Sequence, residues 1–230
     1  MSLESINNDK VRIKEIYPHI YHIEFKSQYD LAMHFIRFQE YYESPKFHQQ
    51  IFTLVDYMEW YVEEYNKNKY VQAFTYPIDW GGFNVPSRCL LPFIAEPCPI
   101  PDLNKYDIFM LNVIKILKNK ENEQDFYLIG TEWTDDTDND TLNHELSHAW
   151  YTVDMDYRQK MDSLLNDIPT EILVKARNHL MNNNYHNSTI DDEIIAYSAT
   201  GLNLLQHIIP ADIADPFKKF FNLQLDKVNS

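Results

Sequence analysis

Cysteine, glycine and positive charge are what this chain has least of. Its two cysteines, Cys89 and Cys98, are too few for a disulfide framework; the proline-rich stretch between them would let them bridge, but free thiols in a reducing compartment are the expectation. Lys and Arg number 20 against 35 Asp and Glu, a net charge of −15, which argues against binding a nucleic-acid backbone or an anionic membrane surface. The longest apolar run falls far short of the roughly 20 residues that span a bilayer. Residues 1–10 lack the apolar segment of a secretory signal, so a cytoplasmic protein is expected. No internal repeat or low-complexity tract is present. Two of the four glycines, Gly81 and Gly82, fall together within the aromatic stretch 74–86, which reads as an irregular packed connection between two parts of the chain.

What the chain has in abundance is rings. With 44% hydrophobic residues, 16 Tyr and 13 Phe, it can build a sizeable core edged by half-buried aromatics. Ile20–Phe25 alternates as a short strand does. Ser27 and Asp30 then stand at capping spacing before a helix on which Leu31, Phe35, Phe38 and Tyr42 recur, and Ser44-Pro45 ends it. Thr53 and Asp56 open another helix, striped by Leu54, Tyr57, Met58, Tyr61 and Tyr65. Several prolines keep the chain irregular up to Asp102, expected to cap a helix carrying Tyr106, Phe109, Val113 and Leu117. Further helices are expected over 156–165 and 170–180, with a last one starting at Asp215-Pro216. His22, His34 and His48 read as structural or surface histidines. The pattern predicts an α+β, predominantly helical chain with a mostly helical lobe over 1–120 and a second lobe over 121–230.

The chemistry is concentrated in the second lobe. Thr141-Leu142-Asn143-His144-Glu145-Leu146-Ser147-His148 contains His-Glu-x-x-His. Residues four apart share one face of a helix, so His144 and His148 can aim ring nitrogens at a common zinc ion, with Glu145 offset as a general base toward water. The preceding 125–133 reads as a strand, residues 134–140 as a loop, and Asp138 and Asp140 favour a helix start. Further on, Ser188 and Asp191 stand at capping spacing ahead of a helix whose first turns carry Glu193.

Over roughly 125–205 the chain resembles the gluzincin metallopeptidases, the thermolysin-like clan. The resemblance implies a zincin-like lobe, with a short sheet packed on the His-Glu-x-x-His helix and a later helix bearing a glutamate ligand. It implies one zinc per chain held by His144, His148 and Glu193, Glu145 as general base, and a peptide or protein substrate. Where that clan carries Asn before the ligand glutamate and an Asp four residues after it, this chain has Asp192 and Tyr197; the tyrosine would accept the His144 N–H or face the substrate. Tyr185, His186 and Tyr197 are candidates to donate a hydrogen bond to the oxyanion. Asp154 stands where metzincin peptidases place their last ligand, although Tyr151 replaces the glycine which that arrangement needs; Asp191 and Asp192 are other candidate ligands. Glu132 is a weaker candidate to hold a substrate N-terminus. A non-catalytic binding protein on the same scaffold is the competing class.

Overall fold

The computed structural model describes residues 3–65, 73–122, 124–133, 140–183 and 185–228. Strands β1 (Val11–Tyr17) and β2 (Ile20–Phe25) form an antiparallel hairpin whose tight turn puts His19 at φ 67°. Helix α1 (Gln28–Glu43) follows, then α2 (Leu54–Trp60), which runs on as a π-helical turn over Tyr61–Tyr65. Next come α3 (Tyr76–Asp79), β3 (Gly82–Pro86), α4 (Ser87–Leu90), α5 (Lys105–Glu121) and β4 (Tyr127–Glu132). The remainder is helical: α6 (Asp140–Val153), α7 (Met155–Asn166), α8 (Thr170–Asn182), α9 (Ile190–Thr200) and α10 (Ala211–Val228). The molecule is α+β and mostly helical.

The four strands make one sheet in the order β1-β2-β4-β3, with β4 parallel to β2 and antiparallel to β3. Successive strand residues point to opposite faces, and here both faces are covered. Tyr21, Ile23, Phe25 and Leu128 face a core shared with Leu31 and Phe35 of α1 and Val113 and Leu117 of α5. Ile20, Tyr127 and Ile129 face a second core with Leu146, Ala149 and Trp150 of α6 and Ile194 and Ile195 of α9. That is why β4 reads as a continuous apolar run rather than an alternating one. Gly130 is required by the close approach of α1, since a Cβ there would lie 2.3 Å from the Phe35 ring. The first core draws mainly on residues before 121 and the second mainly on residues after it. The sheet is common to both, because β4 is inserted between β2 and β3.

Local signals place most helices. Ser27 Oγ accepts from the Asp30 N–H and Thr53 Oγ1 from the Asp56 N–H, the caps read from their spacing. Other expectations are corrected. Residues 82–86 of the glycine-containing stretch are a strand, because Asn84 and Val85 pair with Ile129 and Leu128 of β4. The helix after the prolines starts at Lys105, where Asn104 and Asp107 form the capping box. Asp102 instead accepts from the Arg37 guanidinium at 2.8 Å. The last helix starts at Ala211, after Pro210, and carries Pro216 inside it. Cys89 and Cys98 are both free, and among the described residues no helix is long and apolar enough to cross a membrane.

Candidate metal centre

The site is built where α6 crosses α9 beneath the sheet. The expected order of strand β4 and then helix α6 is observed, and Asp140 is the first helical residue; Asp138 and most of the expected loop lie outside the described residues. α6 is anchored by its buried Trp150, whose ring meets Tyr17 at 5.9 Å and Phe221 at 5.2 Å between centroids. With that face fixed in the core, His144, Glu145 and His148 are carried toward α9 and β3. α9 buries Ile190, Ile194, Ile195 and Ala199, which leaves Glu193 and Tyr197 together on its other face. Gly201 ends α9 in the left-handed region at φ 76°.

Three donors converge. His144 Nε2 lies 3.2 Å from His148 Nε2 and 3.5 Å from Glu193 Oε2, and His148 Nε2 lies 3.7 Å from Glu193 Oε1. All three residues are buried, and their ligand atoms fall within 4.8 Å of one another. Two nitrogens at zinc-ligand distance in a tetrahedral site are separated by about 3.3 Å, so the residues present fit a zinc ion. Among the described residues Glu193 Oε2 has no hydrogen-bond partner closer than His144 Nε2 at 3.5 Å, despite its burial. An anionic oxygen left this way is costly unless a cation completes it.

The surroundings of the ligands differ from one another. His148 Nδ1 faces Asp192 Oδ2 at 3.0 Å, the carboxylate–histidine arrangement that fixes a tautomer and presents the opposite nitrogen to a metal. Burial disfavours the His148 imidazolium, but the charges of Asp192 and then Glu193 outweigh it and hold the pKa at about 10 in the absence of metal. Burial alone would raise Glu193; His148 and His144 outweigh it and leave its pKa lowered. Tyr197 does not accept the His144 N–H. Its ring packs against the His144 ring at 4.6 Å and its hydroxyl pairs with that of Tyr185 at 2.7 Å, while His144 Nδ1 has no partner among the described residues.

Glu145 has a partner of its own. Asn84 Nδ2 donates to its Oε2 at 2.6 Å, and Asn84 is itself fixed because its Oδ1 accepts from the Tyr127 hydroxyl at 2.5 Å and its N–H donates to Gln39 Oε1 at 3.1 Å. Burial is the largest influence on the Glu145 carboxyl and pushes its pKa up, against the pull of both histidines. β3 can come this close because residue 82 has no side chain: a Cβ there would sit 2.7 Å from both Glu145 Oε1 and Thr141 Cγ2. A cavity of about 230 Å³ opens in front of these groups, reached by His144, Glu145, Glu193, Tyr185 and Tyr197.

The other candidates lie elsewhere or act differently. Asp154 caps α7, accepting from the Tyr157 N–H at 3.0 Å, and its second oxygen takes the Tyr17 hydroxyl and Gln224. It is therefore occupied away from the cluster, and the metzincin-like ligand set is not formed. Asp191 is held by both arms of Arg177 at 2.8 Å. Ser188 does not cap α9; Thr189 occupies the cap position, and Ser188 Oγ is taken by His186 Nδ1 at 2.7 Å. His186 stacks on His48 at 4.2 Å at the rim of the cavity. Glu132 accepts the Gln28 N–H at 3.2 Å and does not line the cavity. Sequence reading missed Asn84, which stood in a stretch taken for a connection, and the role of Asp192 as partner of His148.

Comparison with protein-family models, with curated proteins and with solved structures gave no match.

Proposed function

We propose that this chain is a zinc-dependent hydrolase of gluzincin type that cleaves peptide bonds. The observation that carries the reading is the convergence of His144, His148 and Glu193 on one point while Glu145, next to His144 in the chain, is held by Asn84 and lines the same cavity. Structural zinc sites are closed by four protein ligands, whereas catalytic sites use three and leave a position open. Among the described residues the cluster offers three donors, and it faces a cavity.

His144, His148 and Glu193 would hold the metal, and when bound it supplies a Lewis acid and lowers the pKa of water toward about 7. Glu145 takes the proton from the attacking water and returns it to the departing amine. Its raised pKa suits both halves of that exchange, because a shuttle works best when its pKa approaches the working pH. Asn84 keeps the carboxylate in one orientation, which removes a reorganisation cost from the transition state. The linked hydroxyls of Tyr185 and Tyr197 line the cavity beside His144 and supply an O–H donor for the carbonyl oxygen as it becomes negative. Asp192 holds His148 and takes no proton from substrate.

The test is cleavage of a mixed peptide pool by the purified chain, read by mass spectrometry. Cleavage that is abolished by a zinc chelator, restored by added zinc and absent from Glu145→Gln is the expected result. A zinc-loaded protein that cleaves nothing in the pool would overturn the reading.

A further inference from the structure

The cavity contains acidic groups that hydrolysis does not use. Glu40 and Glu43 lie one turn apart on α1, and both line the cavity. Among the described residues no lysine or arginine lines the cavity. Glu40 is 8% exposed, and burial pushes its pKa up to about 7 although the hydroxyls of Tyr76, Ser44 and Tyr57 stand close to it. Burial and then the charge of Glu193 raise Glu43, which accepts a hydrogen bond from Gln39.

Elsewhere this chain gives a buried acid a partner. Asp107, 1% exposed, accepts from Arg37 Nε at 2.8 Å. Glu121, 7% exposed, is taken by His19 and the Tyr21 hydroxyl. Among the described residues Glu40 and Glu43 have only neutral partners, hydroxyls for Glu40 and the Gln39 amide for Glu43, and both face an open volume. A second observation points the same way. Tyr76 is fully buried and lines the cavity, and among the described residues its hydroxyl closes no hydrogen bond of normal geometry, with the Glu40 carboxyl standing beside it. The wall around it is aromatic: Tyr57, Tyr61 and Tyr76 pack with centroids 5.6 to 5.9 Å apart, and Trp60 and Trp80 extend the same lining. Ring faces and carboxylates in one recess form the environment that selects an organic cation, because the ring quadrupole and the anions attract the same charge.

We propose that this recess is a subsite for the cationic side chain of a lysine or arginine in a bound peptide, with Glu40 and Glu43 as its counter-charges and Tyr57, Trp60 and Tyr61 as its aromatic walls. The proposal rests on the peptidase reading only for the statement that the bound peptide is cut. The cation site itself stands on the cavity and its lining. A long basic side chain suits the recess because its aliphatic stem can lie along the rings while its charged head reaches the carboxyls.

The experiment is calorimetric titration of the zinc-loaded Glu145→Gln chain with an end-blocked alanine pentapeptide carrying arginine at its centre, compared with the same peptide carrying citrulline, which keeps the shape and removes the charge. The arginine peptide is expected to bind about tenfold or more tightly, and Glu40→Gln and Glu43→Gln should each remove most of that preference while leaving citrulline binding unchanged. Unchanged citrulline binding also shows that the variants are folded. Equal affinity for the two peptides, no binding of either, or equal loss of both in the glutamine variants would overturn the proposal. So would tight binding of the citrulline peptide once its N-terminus is unblocked, which would assign the recess to an α-amine. Failure of the hydrolase reading looks different: the chain would prefer arginine over citrulline yet cleave neither in its zinc-loaded wild-type form.

Discussion

Asp192 Oδ2 lies 3.0 Å from His148 Nδ1, so the residue preceding one proposed ligand orients another. The pairing links α6 to α9 at the point where the metal would bind. It also gives Asp192 a role that is separable from ligation, since it engages His148 Nδ1 while the opposite nitrogen, Nε2, faces His144 and Glu193. Replacing Asp192 with alanine is expected to lower zinc affinity about 10- to 100-fold while the ligand set stays complete. Competition with a chromogenic chelator measures this, and wild-type affinity in the variant would remove Asp192 from the site.

Zinc uptake should release a proton at neutral pH. In the metal-free chain Asp192 and Glu193 hold the His148 pKa at about 10, above the ordinary 6.5, and a ligand histidine must be neutral. The folded pKa is raised, so protonation of His148 stabilises the metal-free fold fully below about pH 6.5, and that contribution is lost as pH rises through about 10. Zinc affinity should therefore rise with pH across the same window. Calorimetry in buffers of different ionisation enthalpy reads the proton count; a count of zero at pH 7 would contradict the assignment.

Gly82 tests how closely β3 must approach α6. Gly82→Ala places a methyl 2.7 Å from Glu145 Oε1 and Thr141 Cγ2 and 3.1 Å from Glu145 Cγ. It is expected to cost about 1–3 kcal/mol of stability, as overpacking does, and to lower turnover by moving Glu145. Thermal unfolding together with peptide cleavage checks both. A variant equal to wild type in each would show that the strand yields without disturbing the base.

Asp154→Ala should behave in the opposite manner. The substitution removes the α7 cap and the acceptor for Tyr17 and Gln224, which should cost about 1–2 kcal/mol. Zinc content and cleavage should be unchanged, and loss of metal with the fold intact would return Asp154 to the ligand set.

The legible parts of this chain were those written in short-range chemistry. The caps at Ser27 and Thr53, the strand Ile20–Phe25 and the four-residue spacing of His144 and His148 each depend on contacts within one or two turns. Glu193 could be singled out as a ligand candidate because it opens a helix not far downstream. What remained hidden depends on distant partners. β3 is a strand only because β4 pairs with it, and Asn84 reaches Glu145 only because Gly82 lets the strand pass close to α6. In β1 the alternation of Val11 and Ile13 with Arg12 and Lys14 is plain in the burial pattern, but it was not read as a strand. Glu40 and Glu43 illustrate the same limit: two acids three residues apart on a helix look like a solvated face until Tyr57, Trp60, Tyr61 and Tyr76 join them around one cavity.

The most direct measurement of the central claim is zinc bound per chain in Glu193→Ala and Glu145→Gln, determined side by side by elemental mass spectrometry after dialysis against a weak chelator. Glu193 is assigned as a ligand and Glu145 as the base, so Glu145→Gln should retain about one zinc per chain with turnover reduced about 10²-fold or more, whereas Glu193→Ala should lose the metal. Full zinc in Glu193→Ala, or its loss from Glu145→Gln, would contradict the assignment.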